Sequence, residues 1–138
     1  MKKMTVCLAV LLLSCVCSLG SHFQAGESLE AFWGRFRTAV IKKDKAAVAS
    51  LSQFPISMPY GYRTVRNKPQ LSKRYREVFN HEGDAAVCFA AAKPRIDPAR
   101  PKEFTVGCKN SAGDEVVIYL FVLTKNGWRF NGLDNINE

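Results

Sequence analysis

The chain has 138 residues, a formal net charge of +8 and 47% apolar residue types. It is too short for two ordinary domains, and its apolar content is sufficient for a packed core, which excludes wholesale disorder. The positive charge favours anionic partners, including a negatively charged membrane surface, whereas nucleic acid is not an expected partner outside the cytoplasm.

Residues 1–20 predict a secretory signal peptide. Lys2 and Lys3 precede an apolar run, residues 4–13, which is shorter than the roughly 20 residues that a membrane-spanning helix needs. Cleavage near Ser21 leaves residues 21–138 as one domain with a charge near +6, because the leader carries two lysines and no acidic residue. The domain is then periplasmic or secreted. Leu12-Leu13-Ser14-Cys15 also resembles a bacterial lipobox, so a lipid anchor at Cys15 is the alternative, and the membrane is a partner only in that case.

The first part of the remaining chain predicts three helices. Apolar residues recur at helical spacing over residues 28–43, and Asp44 can cap a second, shorter helix over residues 45–52. Phe54-Pro55 ends that helix, because the residue before a proline avoids helical angles. Residues 56–68 predict an irregular or weakly stranded segment. Pro69 then suits the first turn of a third helix that runs to about Asn80.

After residue 84 the apolar period changes from about 3.6 to 2, which predicts strands. The four candidates are residues 85–93, 103–109, 115–124 and 128–133. Residues 116–123 are apolar on both faces, which predicts a central strand with the helices on one side and a cover such as a second subunit on the other. Gly132 can permit a β-bulge before Leu133.

Cys88 and Cys108 are the two cysteines outside the leader. An oxidising compartment favours a disulfide bond between them. A hairpin centred near Asp97-Pro98 would place them opposite each other, near enough to bridge. Two buried free thiols are the alternative.

The order of these elements resembles the nuclear-transport-factor-two-like superfamily, a cone-shaped α+β fold that includes ketosteroid isomerase and scytalone dehydratase. The resemblance rests on the aromatic first helix, the passage from Asp44 to Phe54-Pro55, the helix Arg74-Tyr75-Arg76-Glu77-Val78-Phe79 and the closing Gly127-Trp128-Arg129-Phe130. It implies three N-terminal helices packed on a curved antiparallel sheet of four or more strands, with a conical pocket between them. It also implies a homodimer through the outer sheet face, which many members form. It implies no particular activity, because the fold serves isomerases, dehydratases and binding modules alike.

Two residues are weak candidates for acid–base catalysis. Histidine titrates near neutrality, so His81 could act with the neighbouring Glu82 or Asp84, and Asp97 is a second candidate. A turn would carry such polar residues in any case. No clustered histidines or cysteines indicate a metal site, and no motif indicates a cofactor.

The candidates for ligand binding are aromatic residues whose polar groups could reach into a pocket; the alternative is that their rings cover the core. They are Tyr60, Tyr62, Tyr75, Tyr119 and Trp128. Basic residues also gather in the middle of the chain, where they predict either a patch for an acidic partner or lipid headgroups, or an ordinary solvated helix face. They are Arg63, Arg66, Lys68, Lys73, Arg74 and Arg76.

The sequence therefore favours an exported, non-catalytic envelope domain that binds a small apolar molecule or another protein, as a monomer or a homodimer. The first alternative is an enzyme of the isomerase or dehydratase kind that uses His81, Asp97 or a tyrosine of the cone. The second is an inhibitor or immunity-type protein.

Overall fold

The computed structural model describes residues 26–59, 61–81, 83–110 and 112–136. The predicted signal peptide with its lipobox-like Cys15 lies outside the described residues, as do Tyr60 and Glu82. The elements are α1 (Leu29–Ile41), α2 (Lys45–Ser50), β1 (Ser52–Ser57), α3 (Lys68–Lys73), α4 (Tyr75–Asn80), α5 (Ala85–Ala91), β2 (Glu103–Lys109), β3 (Glu115–Thr124) and β4 (Gly127–Asn135). Helices packed on one four-stranded sheet confirm the predicted α+β class, and the described residues form five helices rather than three.

The sheet has the strand order β1-β4-β3-β2, and β3 lies inside it as predicted. The β2–β3 and β3–β4 pairs are antiparallel, but β1 pairs with β4 in parallel, so the sheet is mixed and not wholly antiparallel. This pairing needs the glycine at position 132, because a Cβ atom there would stand 2.0 Å from the Ser57 hydroxyl oxygen. The predicted bulge is present at this point: Leu120 faces Gly132 and Phe121 faces Phe130, which leaves Asn131 as the extra residue.

The prediction of a strand over residues 85–93 is wrong, because this segment forms α5. Asp84 begins the helix by accepting hydrogen bonds from the backbone N–H groups of Ala86 and Val87. The segment is rich in alanine, the best helix former. Its inward side chains follow the helical spacing: Ala85 and Phe89 are buried, and Cys88 packs against the core.

Two other predicted boundaries differ from the structure. The expected helix over residues 69–80 is divided at Arg74, whose backbone N–H closes α3 on the Gln70 carbonyl while its own carbonyl opens α4 by accepting from Val78. The segment around Phe54-Pro55 is not merely the end of a helix. It belongs to β1, which pairs with β4 at the edge of the sheet opposite to β2, the strand beside which residues 85–93 were expected to lie.

The core lies between the helices and the inner face of the sheet, with Phe36 of α1 at its centre. Its ring centroid lies 5.1 Å from that of Phe121 on β3 and 5.4 Å from that of Phe130 on β4. Further rings from α1, α4 and α5 surround it; they belong to Phe32, Trp33, Phe79 and Phe89. No helix in the described part of the chain is long and apolar enough to cross a membrane.

Cys88 and Cys108 form a disulfide bond with their Cα atoms 5.7 Å apart. The predicted pairing is therefore present, but it joins α5 to β2 and does not cross a hairpin. The helix α5 packs mainly against α1, and the disulfide bond ties it to the sheet as well.

Replacing both cysteines, Cys88→Ala and Cys108→Ala, should lower the free energy of unfolding by about 3 kcal/mol, since a loop of this length then regains its freedom in the unfolded chain. Urea unfolding with and without a thiol reductant measures the difference. The double variant is the control for the reductant. A reductant should lower the urea midpoint of the native protein and leave that of the double variant unchanged, because the variant has no disulfide bond to reduce. An unchanged midpoint in the reduced native protein would contradict a stabilising bond.

Candidate functional site

The interior between the helices and the sheet is filled by aromatic side chains of the protein itself. Phe79 stacks on Tyr119 at 5.8 Å between centroids, and Phe104 stacks on Phe121 at 4.3 Å. A small, partly open cavity between α4 and the ends of β3 and β4 has a volume of about 20 Å³. That is room for about one water molecule.

His81 and Tyr62 lie together at the mouth of this small cavity. The Tyr62 hydroxyl and the His81 Nε2 atom are 2.6 Å apart, and their rings meet edge to face at 5.5 Å. Asp134 and Glu77 line the same cavity. The structure thus brings His81 next to a tyrosine that the sequence assigned to ligand binding. It does not bring Asp97 there.

Asp97 belongs to a separate surface depression of about 200 Å³ beside β2. Its carboxylate accepts a hydrogen bond from the backbone N–H of Ala99 and pairs with Arg100 at 3.2 Å. These two contacts, the first one foremost, hold its pKa below the ordinary value. A low pKa and an exposed side chain suit a surface ion pair, and the catalytic role of Asp97 stays an untested prediction.

The remaining aromatic candidates are core residues. The hydroxyls of Tyr75 and Tyr119 donate long hydrogen bonds, both 3.4 Å, to the backbone carbonyls of Val40 and Val78. Trp128 is buried and packs edge-on against Phe104 at 5.2 Å. Tyr60 lies outside the described residues. Ligand binding by these residues stays a prediction.

A larger site lies outside the core, between the loop of residues 61–66 and helices α3 and α4. It is an open cleft of about 950 Å³, which we call the cationic cleft. Its charged and aromatic lining residues are Tyr62, Arg63, Arg66, Lys73, Arg74 and Glu77. Four of the six basic residues that the sequence grouped together therefore share one concave surface, while Lys68 and Arg76 are exposed elsewhere.

The charges in the cationic cleft are only partly compensated. Arg74 and Glu77 form a two-pronged ion pair, in which the hydrogen bond from Arg74 keeps the pKa of Glu77 below its ordinary value. Arg63, Arg66 and Lys73 are exposed and have no carboxylate partner among the residues that the structure describes. The cleft thus carries a surplus of three positive charges next to a neutralised pair.

The loop wall of the cleft is held by hydrogen bonds from several directions. The backbone groups of Val65 and Ile56 exchange two hydrogen bonds of 2.8 and 3.1 Å, which ties the loop to β1. The Arg66 N–H donates to the Gln70 side chain at 2.8 Å. Arg74 donates to the Thr64 carbonyl at 3.3 Å. Sequence reasoning missed Thr64 and Gln70, because no local pattern shows that the loop folds back onto these helices.

The residues that the structure describes contain no group of three or more histidine, cysteine, aspartate or glutamate side chains placed to hold a metal ion. The polar groups of the cationic cleft are mainly positively charged and would repel a metal cation. The residues present fit an anion and not a metal.

No protein-family profile and no curated protein sequence matches this chain. Similar solved structures include an NTF2-like protein with a cystatin-like fold from Novosphingobium aromaticivorans, with 14% identity over 75% of this chain and 75% of that chain and a TM-score of 0.42. A ketosteroid isomerase-like protein from Erwinia carotovora has 18% identity over 78% of this chain and 92% of that chain, with a TM-score of 0.42.

A domain of unknown function with a cystatin-like fold from Nostoc punctiforme has 11% identity over 78% of this chain and 74% of that chain, with a TM-score of 0.46. The NTF2-like proteins among these structures belong to the superfamily that the sequence resembles. Sequence identities of 11% to 18% carry no activity over to this chain.

The burial of Tyr75 predicts a loss of stability in alkaline solution. Burial, with smaller contributions from Asp44 and Asp84, raises the pKa of Tyr75 from 10.0 to about 12. The folded protein favours the neutral phenol, so its contribution is complete below pH 10.0 and is lost as the pH rises through about 12. Denaturant unfolding at a series of alkaline pH values should show this fall.

The variant Tyr75→Phe is the control, because phenylalanine cannot ionise. Its free energy of unfolding should fall less steeply than that of the native protein over the same pH range. Some slope should remain, since burial also raises the pKa of Tyr119. Equal slopes for the two proteins would show that Tyr75 ionises without cost and is not buried.

Proposed function

We propose that this chain is an exported, non-catalytic domain of the cell envelope that binds another protein with its outer surface. The observation that carries the proposal is the filled interior. Pockets for small apolar molecules commonly measure about 300–1,000 Å³ and are lined mainly by apolar side chains. The cavity between the helices and the sheet measures about 20 Å³, and the larger cationic cleft is lined mainly by charged and polar side chains. Of the two ligand classes that the sequence favours, a protein therefore has the better support. An inhibitor or immunity-type protein is one form of this function.

A second candidate is an enzyme of the isomerase or dehydratase kind, and one observation favours it. The Tyr62 hydroxyl and the His81 imidazole form a hydrogen-bonded pair beside the cavity, and such a pair can exchange a proton with a substrate. The cavity would have to widen many times over before a substrate reached it. The binding function needs no such change, and it is the one we adopt.

The outer face of the sheet supports association of two copies. Side chains alternate along β3, so that Tyr119 and Phe121 face the core while Ile118, Leu120 and Val122 point outward and remain partly exposed. Two identical stripes of branched aliphatic residues can pack against each other about a twofold axis. We therefore extend the proposal to a homodimer through this face.

The variant Ile118→Lys should shift this protein from dimer to monomer in sedimentation equilibrium. The lysine would stand opposite Asp134 on β4, so the strand pairing itself should survive. The matched control is Val87→Lys, which makes the same change on α5 at a side chain that is 72% exposed. A monomeric native protein, or equal dimerisation of the two variants, would contradict the dimer.

Residues 1–20 should direct export when they are fused to alkaline phosphatase, a reporter that is active only where its disulfide bonds form. The same fusion with Leu11→Arg and Leu12→Arg should be inactive, because charges interrupt the apolar run. The mass of the mature full-length protein then separates cleavage near Ser21 from lipidation at Cys15. A native fusion as inactive as its variant would contradict export.

A further inference from the structure

We propose that the cationic cleft binds an acidic, extended peptide segment of the protein partner. This inference names the partner chemistry of the protein-binding function proposed above and rests on it. It assigns the contact to one concave surface, with Arg63, Arg66 and Lys73 as the residues that meet the carboxylates.

The first support is charge complementarity. Elsewhere on the surface, Arg35 pairs with Glu27, and Arg100 pairs with Asp97 and Glu103. In the cleft, Arg63, Arg66 and Lys73 have no such partner among the described residues, so their charges add. Arginine presents a planar fork of N–H donors that fits a carboxylate with two parallel hydrogen bonds.

The second support is the rigidity of the wall. The loop that carries Arg63 and Arg66 is bonded to β1 through Val65, to α3 through Gln70 and to Arg74 through the Thr64 carbonyl. A backbone that is already ordered loses little conformational entropy when a ligand binds. Only the side chains must be fixed on binding, so Arg63 and Arg66 of this wall, together with Lys73 of α3, can yield net affinity.

The third support is shape, which separates a peptide from other anions. The cleft is open and has a volume of about 950 Å³, so a single phosphate ion would occupy only part of it, whereas a stretch of extended chain would fill it. A bilayer surface is flat, so it would contact the rim of a concave site and not the residues inside it. The large apolar residues that are more than half exposed, Val87, Ile96 and Ile136, do not line the cleft and cannot anchor it in lipid.

The test uses the full exported protein and a short fluorescein-labelled peptide in which glutamate alternates with serine. Fluorescence anisotropy should show saturable binding that weakens as salt is added, and a peptide with glutamine in place of glutamate should not bind. Replacing Arg63, Arg66 and Lys73 together with glutamine should weaken the affinity by about tenfold or more, because three screened ion pairs are lost.

The matched control replaces three exposed lysines outside the cleft, Lys42, Lys93 and Lys125, with glutamine, which lowers the net charge equally. It should retain most of the affinity. Equal losses in the two triple variants would overturn the inference, because binding would then follow net charge alone. The inference would also be overturned if the glutamate peptide did not bind. If anionic vesicles bound instead, and their binding depended on the cleft cations, the ligand would be a membrane surface and not a peptide.

Failure of this inference is distinct from failure of the proposed function. Suppose that the native chain binds an envelope protein and that the cleft variant binds it equally tightly. That result would leave the protein-binding function intact and overturn only the assignment of the cleft. Circular dichroism and the urea midpoint of each triple variant confirm that the comparison is made between folded proteins.

Discussion

The packing of Phe36 against both layers of the protein is the constraint on which the rest of the structure depends. Its ring joins α1 to β3 and β4, and the surrounding rings of Phe79 and Phe89 bring in α4 and α5. A Phe side chain at such a site contributes several kcal/mol through burial and ring contacts. Because the rings come from every layer, the helices cannot separate from the sheet without exposing all of them.

That constraint also bears on where the proposed binding function would be located. A cone whose interior is occupied by its own aromatic side chains leaves little room for a ligand, and Tyr75 and Tyr119 are buried in that interior. The polar groups that remain accessible are outside the core. The cationic cleft and the outer face of β3 are different in character, one charged and concave and the other aliphatic, so they suit two different contacts.

The local sequence pattern predicted an element correctly where one physical signal dominated the segment. The helical spacing of α1, the alternation along β2 and the continuous apolar run of β3 predicted these elements with nearly correct bounds. It failed over residues 85–91, where alanines fit either period and the cap at Asp84 favoured the helix. The predicted disulfide bond was nevertheless found, because the pairing of two cysteines in one small domain does not depend on whether one of them lies on a strand.

The sequence by itself determined the α+β class, the amphipathic first helix, the antiparallel strands at the C-terminal end and the cysteine pair, since each follows from the order of residues within a short segment. Only the tertiary structure decided that β1 lies parallel to β4, that the interior is filled and that Arg63, Arg66 and Lys73 share one cleft. The pairing of β1 with β4 joins residues far apart in the chain, such as Ser52 with Phe130. The cleft depends on a loop that folds back on its neighbours, through the contacts of Ile56 with Val65 and of Thr64 with Arg74. The periodicity of apolar residues along the sequence does not indicate such contacts.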